Sequence, residues 1–286
     1  SGKSALALKL ARETGGVIVN ADSMQVYSSL RVLTARPGAA EEAEAPHLLY
    51  GHVDPREAHS TGQYLRDVEA LAARGAFADR PAIFVGGTGL YFRALTQGLS
   101  QMPAVPDEVR AKWRAAARDE GPAALHRLLG ERDPAAATAI RPTDAQRIVR
   151  ALEVLEASGR PISHWQGIAG RPVVDGERAR LYVIEPDRTA LGARISRRFD
   201  TMLDEGALEE ARALGGLDLD PSLPAMKAIG VRELLGADRG EISLEEAVER
   251  AKAATRQYAR RQMTWFRNQF GPQWRRIGLG EAVDLG

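Results

Sequence analysis

The chain has 286 residues, of which 44% are hydrophobic and 27% charged, and a net charge of +1. That length allows one large domain or two, and the composition is that of an ordinary globular protein. No stretch approaches the roughly 18 apolar residues that a membrane helix needs, and the absence of cysteine excludes disulfides, thiolate metal centres, iron–sulfur clusters and cysteine nucleophiles together. No secretory leader is recognisable, so the expectation is a cytoplasmic protein whose chemistry uses oxygen and nitrogen groups.

The first eleven residues, SGKSALALKLA, have the form of the back half of a phosphate-binding loop running into a helix. Backbone N–H groups at the helix N-terminus, the Lys3 ammonium and a Ser4 hydroxyl on Mg²⁺ would together neutralise a di- or triphosphate. The first glycine of such a loop and its lead-in strand are not in the sequence. GGVIVNADS (15–23) reads as a glycine turn, a short β-branched strand and a polar exit, which is β-α-β grammar. Asp22 falls just past the C-terminal end of that strand, where open α/β sheets place their ligands. Asp also caps turns routinely, so a functional carboxylate and a cap are both open. TGQYLRDVEALAARGAF (61–77) predicts an amphipathic crossover helix, and PAIFVGGTG (81–89) a buried parallel strand ending in a glycine turn. Thr88 then stands at a second strand end, facing the same crevice as Ser4 and Asp22.

Residues 104–165 lack strand character and are bounded by the proline-rich joints QMPAVPD and GRPIS. They predict an all-helical insertion with helices over DEVRAKWRAAARDEG, PAALHRLLG and TDAQRIVRALEVLEASG, the last with Thr143 as N-cap and Gln146 closing a capping box. ARLYVIEP (179–186) predicts a third strand, followed by a long helical stretch. The expected fold is therefore α/β: a P-loop NTPase-like parallel sheet flanked by helices over 1–103 and 166–286, interrupted by the helical subdomain.

Near the C-terminus, SLEEAVERAKAATRQYARRQMTWFRNQF predicts one long helix with Ala259, Met263, Phe266 and Phe270 on its core face. Arg256, Arg260 and Arg267 fall within about 40° of one another on an adjacent face, and Tyr258 shares a third with Trp265. From Arg250 to Arg276 there are eight basic residues, Arg250, Lys252, Arg256, Arg260, Arg261, Arg267, Arg275 and Arg276, and no acid. Such a stripe suits RNA, held by phosphate contacts and base stacking; a solvated helix face is the competing reading. His47, His52, His59, His126 and His164 have no metal-ligand spacing and read as surface or packing residues.

Taken together, SGKS, NADSMQVY, GGTGLYFRAL, RPTDAQRIVRALEVLEASGRPIS, MKAIGVREL and TRQYARRQMTWFRNQ resemble the tRNA dimethylallyltransferase family over nearly the whole chain. The resemblance implies a P-loop core turned from ATP to dimethylallyl diphosphate, and a helical insertion that grips the anticodon stem-loop of tRNA. The implied reaction is attack by N6 of the adenosine 3′ of the anticodon on the allylic carbon, with release of pyrophosphate. It implies Asp22 as the base and Thr88 as a partner of the bridging oxygen. Ser1, Gly2, Lys3, Ser4 and Arg232 would hold the diphosphate, with Mg²⁺ on Ser4. Contacts to tRNA would come from Asp22, Ser23, Met24, Gln25, Arg110, Gln146, Arg147, Ile148, Val149, Arg150 and Lys227, joined by Arg256, Arg260 and Arg261. The expected working state is a monomer without a membrane partner. Val231 stands where the family usually has an aromatic, and PHLLYG has one histidine where many relatives have two. An adenylate isopentenyltransferase, a P-loop kinase and a non-catalytic RNA-binding protein are the alternatives.

Overall fold

The structure, a computed structural model, describes residues 2–278, 280, 281 and 283. The chain divides into two compact units, 1–96 with 173–286, and 97–172.

In the first unit, helix α1 (Lys3–Thr14) lies between two left-handed glycines, Gly2 (φ 84°) and Gly15 (φ 65°). Strand β1 (Val17–Asn20) follows and is buried throughout. After α2 (Ala39–Glu44), the short β2 (His47–Leu48) pairs parallel with β1. Helix α3 (Thr61–Ala73) starts at a true capping box: Ser60 accepts from the Gln63 N–H while Gln63 accepts from the Ser60 N–H. Strand β3 (Ala82–Val85) pairs parallel with the other edge of β1, giving the order β2-β1-β3, and leads directly into α4 (Gly89–Gln97).

The second unit is helical: α5 (Asp107–Asp119), α6 (Gly121–Arg132), α7 (Pro134–Ala139), α8 (Ala145–Ser158) and α9 (Ile162–Gln166). They close around Trp113, Leu125, Leu129, Ile148, Leu152 and Val154. The unit runs beyond the prolines at both ends because the segments around residues 98 and 170 press together. A Cβ on Gly98 would overlap the Gly170 backbone, and one on Gly170 would overlap Leu99. Helix α8 begins one residue later than the sequence predicts. Asp144, not Thr143, caps it by accepting from the Arg147 N–H at 3.2 Å, and its carboxylate also complements the positive end of the helix dipole. Gln146 therefore closes no capping box.

The chain returns to the first unit through β4 (Leu181–Ile184) and α10 (Arg188–Asp204). Left-handed Gly206 (φ 98°) separates α10 from α11 (Ala207–Gly215), where the sequence predicts one helical run. A 3₁₀ turn (Ala225–Lys227), α12 (Val231–Asp238), α13 (Leu244–Gln269) and β5 (Trp274–Ile277) complete the fold. The main core joins Val26, Tyr27 and Leu30 to Ala211, Leu214, Val231, Leu234, Ala247 and Ala251. Glu210 on α11 fastens the 31–33 loop to this core, since its carboxylate accepts the N–H groups of Arg31, Val32 and Leu33.

Instead of one sheet there are two parallel pieces, β2-β1-β3 and β4-β5. Strands β3 and β4 do not pair; both line one cavity of roughly 1180 Å³. Strands β2 and β5 are additions to the predicted elements, and β5 carries Arg275 and Arg276, the end of the basic run. Arg276 pairs with Glu185 and Arg275 with Glu281. Among the described residues no helix is long and apolar enough to cross a membrane.

Leu129 is fully buried in the helical unit. Leu129→Ala should destabilise the protein by about 2–5 kcal/mol, read from urea unfolding followed by tryptophan fluorescence. A loss below about 1 kcal/mol would mean that this unit is not closed around Leu129.

Candidate active site

The centre of the site is made by two backbone segments that leave adjacent strands, residues 20–24 after β1 and 86–88 after β3. Gly86 lets them touch, because a Cβ there would overlap the Ala21 carbonyl. The contact is closed by polar groups. The Thr88 N–H donates to Ala21 O at 3.2 Å, Thr88 Oγ1 accepts from the Ser23 N–H at 2.9 Å, and the Thr88 hydroxyl donates to Ser23 Oγ at 3.2 Å. Buried Asn20 holds the turn from inside, donating to Asp22 O and Leu49 O and accepting from the Asp22 N–H.

Asp22 takes the capping role that the sequence left open, with one carboxylate oxygen. Its Oδ1 accepts from the Met24 N–H at 3.0 Å, which caps the turn. Its Oδ2 is on the side of Gly87, where it would lie 3.3 Å from an added Cβ. Asp22 also lines the large cavity with Ser23, Met24, Gly86 and Gly87. Thus one carboxylate oxygen shapes the loop and the other is directed along the cavity wall.

Positive charge surrounds this carboxylate. Lys3 lines the same cavity; burial lowers its pKa, Asp22 raises it and Arg198 lowers it again. Arg198 and Arg194 stand one turn apart on α10. Arg198 lines the large cavity with Lys3, and Arg194 lines a second, smaller one with Gly2 and Ala5 at the start of α1. Arg194 Nη1 is buried and has no hydrogen-bond partner among the described residues, which is costly for a cation and would be relieved by an anion. The N-terminus of α1 adds to this, having no side-chain cap and no acid in its first turn, so its N–H groups present a positive helix end. Neither Arg194 nor Arg198 belongs to a motif that stands out in the sequence. Their four-residue spacing on a helix was the available signal, and it places two guanidinium groups on one face.

From α13, Gln262 donates to Gly87 O at 2.7 Å and bonds Tyr258. Burial and then the charge of Asp22 push the Tyr258 phenol up to about 12, so it remains an uncharged donor. The predicted core stripe Ala259, Met263, Phe266 and Phe270 lines the large cavity instead of being wholly sealed. With Phe92 and Trp274 it forms an apolar wall, in which Phe270 stacks on Trp274 at 3.9 Å between centroids.

The other predicted residues are distributed as follows. Ser1 lies outside the described residues. Ser4 is exposed on the first turn of α1, beside Lys3. Lys227 and Arg261 line the large cavity. Arg232 is not brought there; it is exposed on α12 and donates to Pro221 O at 3.2 Å. Gln25 is buried, and its amide nitrogen donates to Thr34 O and Ala35 O, which makes it a brace for that turn and not a presented side chain. In the helical unit Arg110, Gln146 and Arg147 are exposed, and Arg150 is half-buried and paired with Glu153. Ile148 is fully buried and Val149 packs against the same core. The Ile148 side chain is thereby sealed from any RNA, whereas Val149 is only partly covered. Of the basic run, Arg250 pairs with Glu246 and Lys252 with Asp200 and Glu249. Arg256, Arg260, Arg261 and Arg267 form no ion pair among the described residues, and the last three are exposed.

The chain matches the IPP transferase family over residues 25–269. It is 64% identical to the tRNA dimethylallyltransferase of Chelativorans sp. (strain BNC1), over 96% of this chain and 94% of that protein. Identity to the tRNA dimethylallyltransferase of Mesorhizobium japonicum is 61%, over 99% of this chain and 88% of the relative. Among solved structures, the full-length tRNA isopentenylpyrophosphate transferase of Bacillus halodurans aligns with a TM-score of 0.67 at 31% identity, covering 99% of this chain and 88% of that one. A eukaryotic dimethylallyltransferase captured acting on tRNA aligns with a TM-score of 0.77 at 26% identity, covering 97% of this chain and 71% of that one. A strand-end carboxylate, an anion-ready helix start and an apolar wall thus occur in a chain that belongs to the IPP transferase family.

Proposed function

We propose that the protein is a tRNA dimethylallyltransferase, moving the dimethylallyl group of dimethylallyl diphosphate to N6 of the adenosine immediately 3′ of the tRNA anticodon. The observation that carries this reading is that Asp22 lines one cavity together with the cations Lys3 and Arg198, suited to a diphosphate, and the apolar residues Phe92, Phe266, Phe270 and Trp274, suited to a short prenyl chain. Relatives named for this activity align over almost the whole chain.

The chemistry follows from the groups present. The adenine amine is a weak nucleophile because its lone pair is delocalised into the ring. As N6 bonds to C1 of the donor, the C1–O bond breaks, pyrophosphate leaves, and the N6 proton passes to the Asp22 carboxylate. A positioned base of this kind contributes about 10² to 10⁴ in rate. Lys3, Arg198, Arg194 and the first N–H groups of α1 offer preorganised positive charge to the departing pyrophosphate. Thr88 is within the same loop contact and would donate to the bridging oxygen once its hydroxyl turns from Ser23. A divalent cation fits the donors available: the exposed Ser4 hydroxyl presents an oxygen beside Lys3, and Mg²⁺ typically keeps few protein ligands, taking water and phosphate oxygens for the rest. When bound, Mg²⁺ would neutralise charge on the leaving group.

The target base must leave its stack to reach Asp22. Ser23, Met24, Lys227 and Arg261 line the cavity through which it would enter. The unpaired arginines of α13 and the exposed Arg110, Gln146 and Arg147 of the helical unit supply phosphate contacts to the anticodon stem-loop. We place this work in the cytoplasm, by a monomer.

Incubation with Mg²⁺, labelled dimethylallyl diphosphate and either unmodified tRNA or AMP should label the tRNA; label in AMP alone would identify an adenylate isopentenyltransferase instead. Asp22→Asn should lower kcat by about 10² to 10⁴ with KM for both substrates little changed, and an unchanged kcat would remove Asp22 as the base. Replacing Arg256, Arg260 and Arg267 together with Ala should flatten the salt dependence of tRNA binding by about 0.7–0.9 in log–log slope for each phosphate that these side chains neutralise. An unaltered slope would assign these arginines to solvent.

A further inference from the structure

The five histidines do not share one fate. His126 Nε2 binds the carbonyls of Ala137 and Ile140, His164 pairs with Arg160, and His47 holds Ala45 O. His52 and His59 differ, because both direct Nε2 at the same oxygen, Asp67 Oδ2, at 3.1 and 2.9 Å. The two histidines come from the two ends of the loop between β2 and α3, with His59 just before the Ser60 cap, and Asp67 from the second turn of α3. Their ligand atoms lie within 4.8 Å of one another, and the rings meet edge to face at 5.6 Å.

We propose that His52, His59 and Asp67 form a binding site for a borderline-soft divalent transition metal of the Zn²⁺ type, separate from the diphosphate site. Two imidazole nitrogens and one carboxylate oxygen are a donor set that suits Zn²⁺ and not the hard, oxygen-preferring Mg²⁺. Zinc bonds of about 2.0–2.2 Å in a tetrahedron place ligand atoms about 3.3 Å apart. The two nitrogen–oxygen separations are already near that value, and a ring rotation brings the nitrogens together. Binding moves the proton of each neutral imidazole from Nε2 to Nδ1, so that both Nε2 lone pairs face the ion with no net loss of a ring proton, and it leaves a fourth position for water.

The surroundings support the ring that matters most. The His59 side chain is only 5% exposed, and its other nitrogen, Nδ1, is 3.4 Å from the Tyr91 hydroxyl. That phenol is held neutral by burial, so it can donate to Nδ1 in the metal-free tautomer and accept from Nδ1–H in the metal-bound one, as outer partners of ligating histidines do. The His59 backbone N–H is tied to Tyr27 Oη at 3.2 Å, and Tyr91 stacks on Tyr64 at 3.9 Å between centroids. His52 and Asp67 are about one-third exposed, which gives an ion its path in. A bound ion would clip the 52–59 loop to α3. Tyr91, on the first turn of α4, bonds back to Thr88 O through its N–H at 2.9 Å, so the clip adjoins the element that carries the active-site threonine.

The test is a Co²⁺ titration of the chelator-stripped full chain, followed by the intense visible absorption of four-coordinate cobalt. The expected result is one such Co²⁺ per chain, displaced by Zn²⁺, with affinity reduced at least about 100-fold in His52→Ala and in Asp67→Asn. That is the upper end of what losing a mere supporting partner costs. Circular dichroism checks that each variant is folded, and the exposed His52 is the safer of the two. No four-coordinate band in the wild type, or a band that both variants retain, would overturn the proposal and leave a plain hydrogen-bonded cluster. Because the readout is metal binding without diphosphate or tRNA, its failure is independent of the transfer reaction.

Discussion

The structure depends on one close approach, the contact between the backbone after β1 and the backbone after β3. A glycine at 86 permits it, and Thr88 with Ser23 closes it. Parallel pairing of β1 with β3 sets the two strand ends level, with Asn20 opposite Val85. The polar groups of the site are arranged around that point. Asp22 takes its orientation from Asn20 and Met24, and Gln262 of α13 is held by Gly87. A strand end is where an open parallel sheet offers unpaired backbone and the following helix offers its positive pole.

Both charge and apolar surface are supplied around this contact. Lys3 and Arg198 line the large cavity, as do the aromatic residues of α13 and β5, while Arg194 lines a second cavity with the start of α1. The proposed donor, with a charged diphosphate head and a short apolar tail, calls for both kinds of surface. Arg194 has a buried donor without a partner among the described residues, and buried charge without a partner is unfavourable unless an anion completes it. On the proposed reaction, the ligand brings negative charge to these cations and its leaving group departs with more of it.

The basic run of the C-terminal region has two different fates, decided by what packs beside it. Arg250, Lys252, Arg275 and Arg276 meet acids from their own helix turn or from distant segments. Arg256, Arg260, Arg261 and Arg267 meet none among the described residues. Linear charge counting treats the eight alike, because it cannot see acids that arrive from residues 185, 200 and 281. In the helical unit the same limit applies to Ile148, which sits beside exposed Gln146 and Arg147 but is fully buried in the core. A motif marks a helix, and the 100° step between neighbours decides which of its residues a partner can touch.

The sequence by itself determined the α/β class, the helical insertion, the long C-terminal helix, and the family, since each is a local matter of periodicity, glycine turns and motif order. It also placed Asp22 and Thr88 at strand ends, because a strand's exit is marked by the residues that follow it. Tertiary structure alone decided that β3 and β4 line one cavity without pairing, that β2 and β5 exist, and that Asp144 caps α8. It also recruited Arg194 and Arg198, withdrew Gln25 and Arg232, and brought His52 and His59 to one oxygen of Asp67. The physical reason is the same in each case. Pairing, burial and charge neutralisation act between groups distant in the chain, and which groups meet is fixed only when the elements have packed.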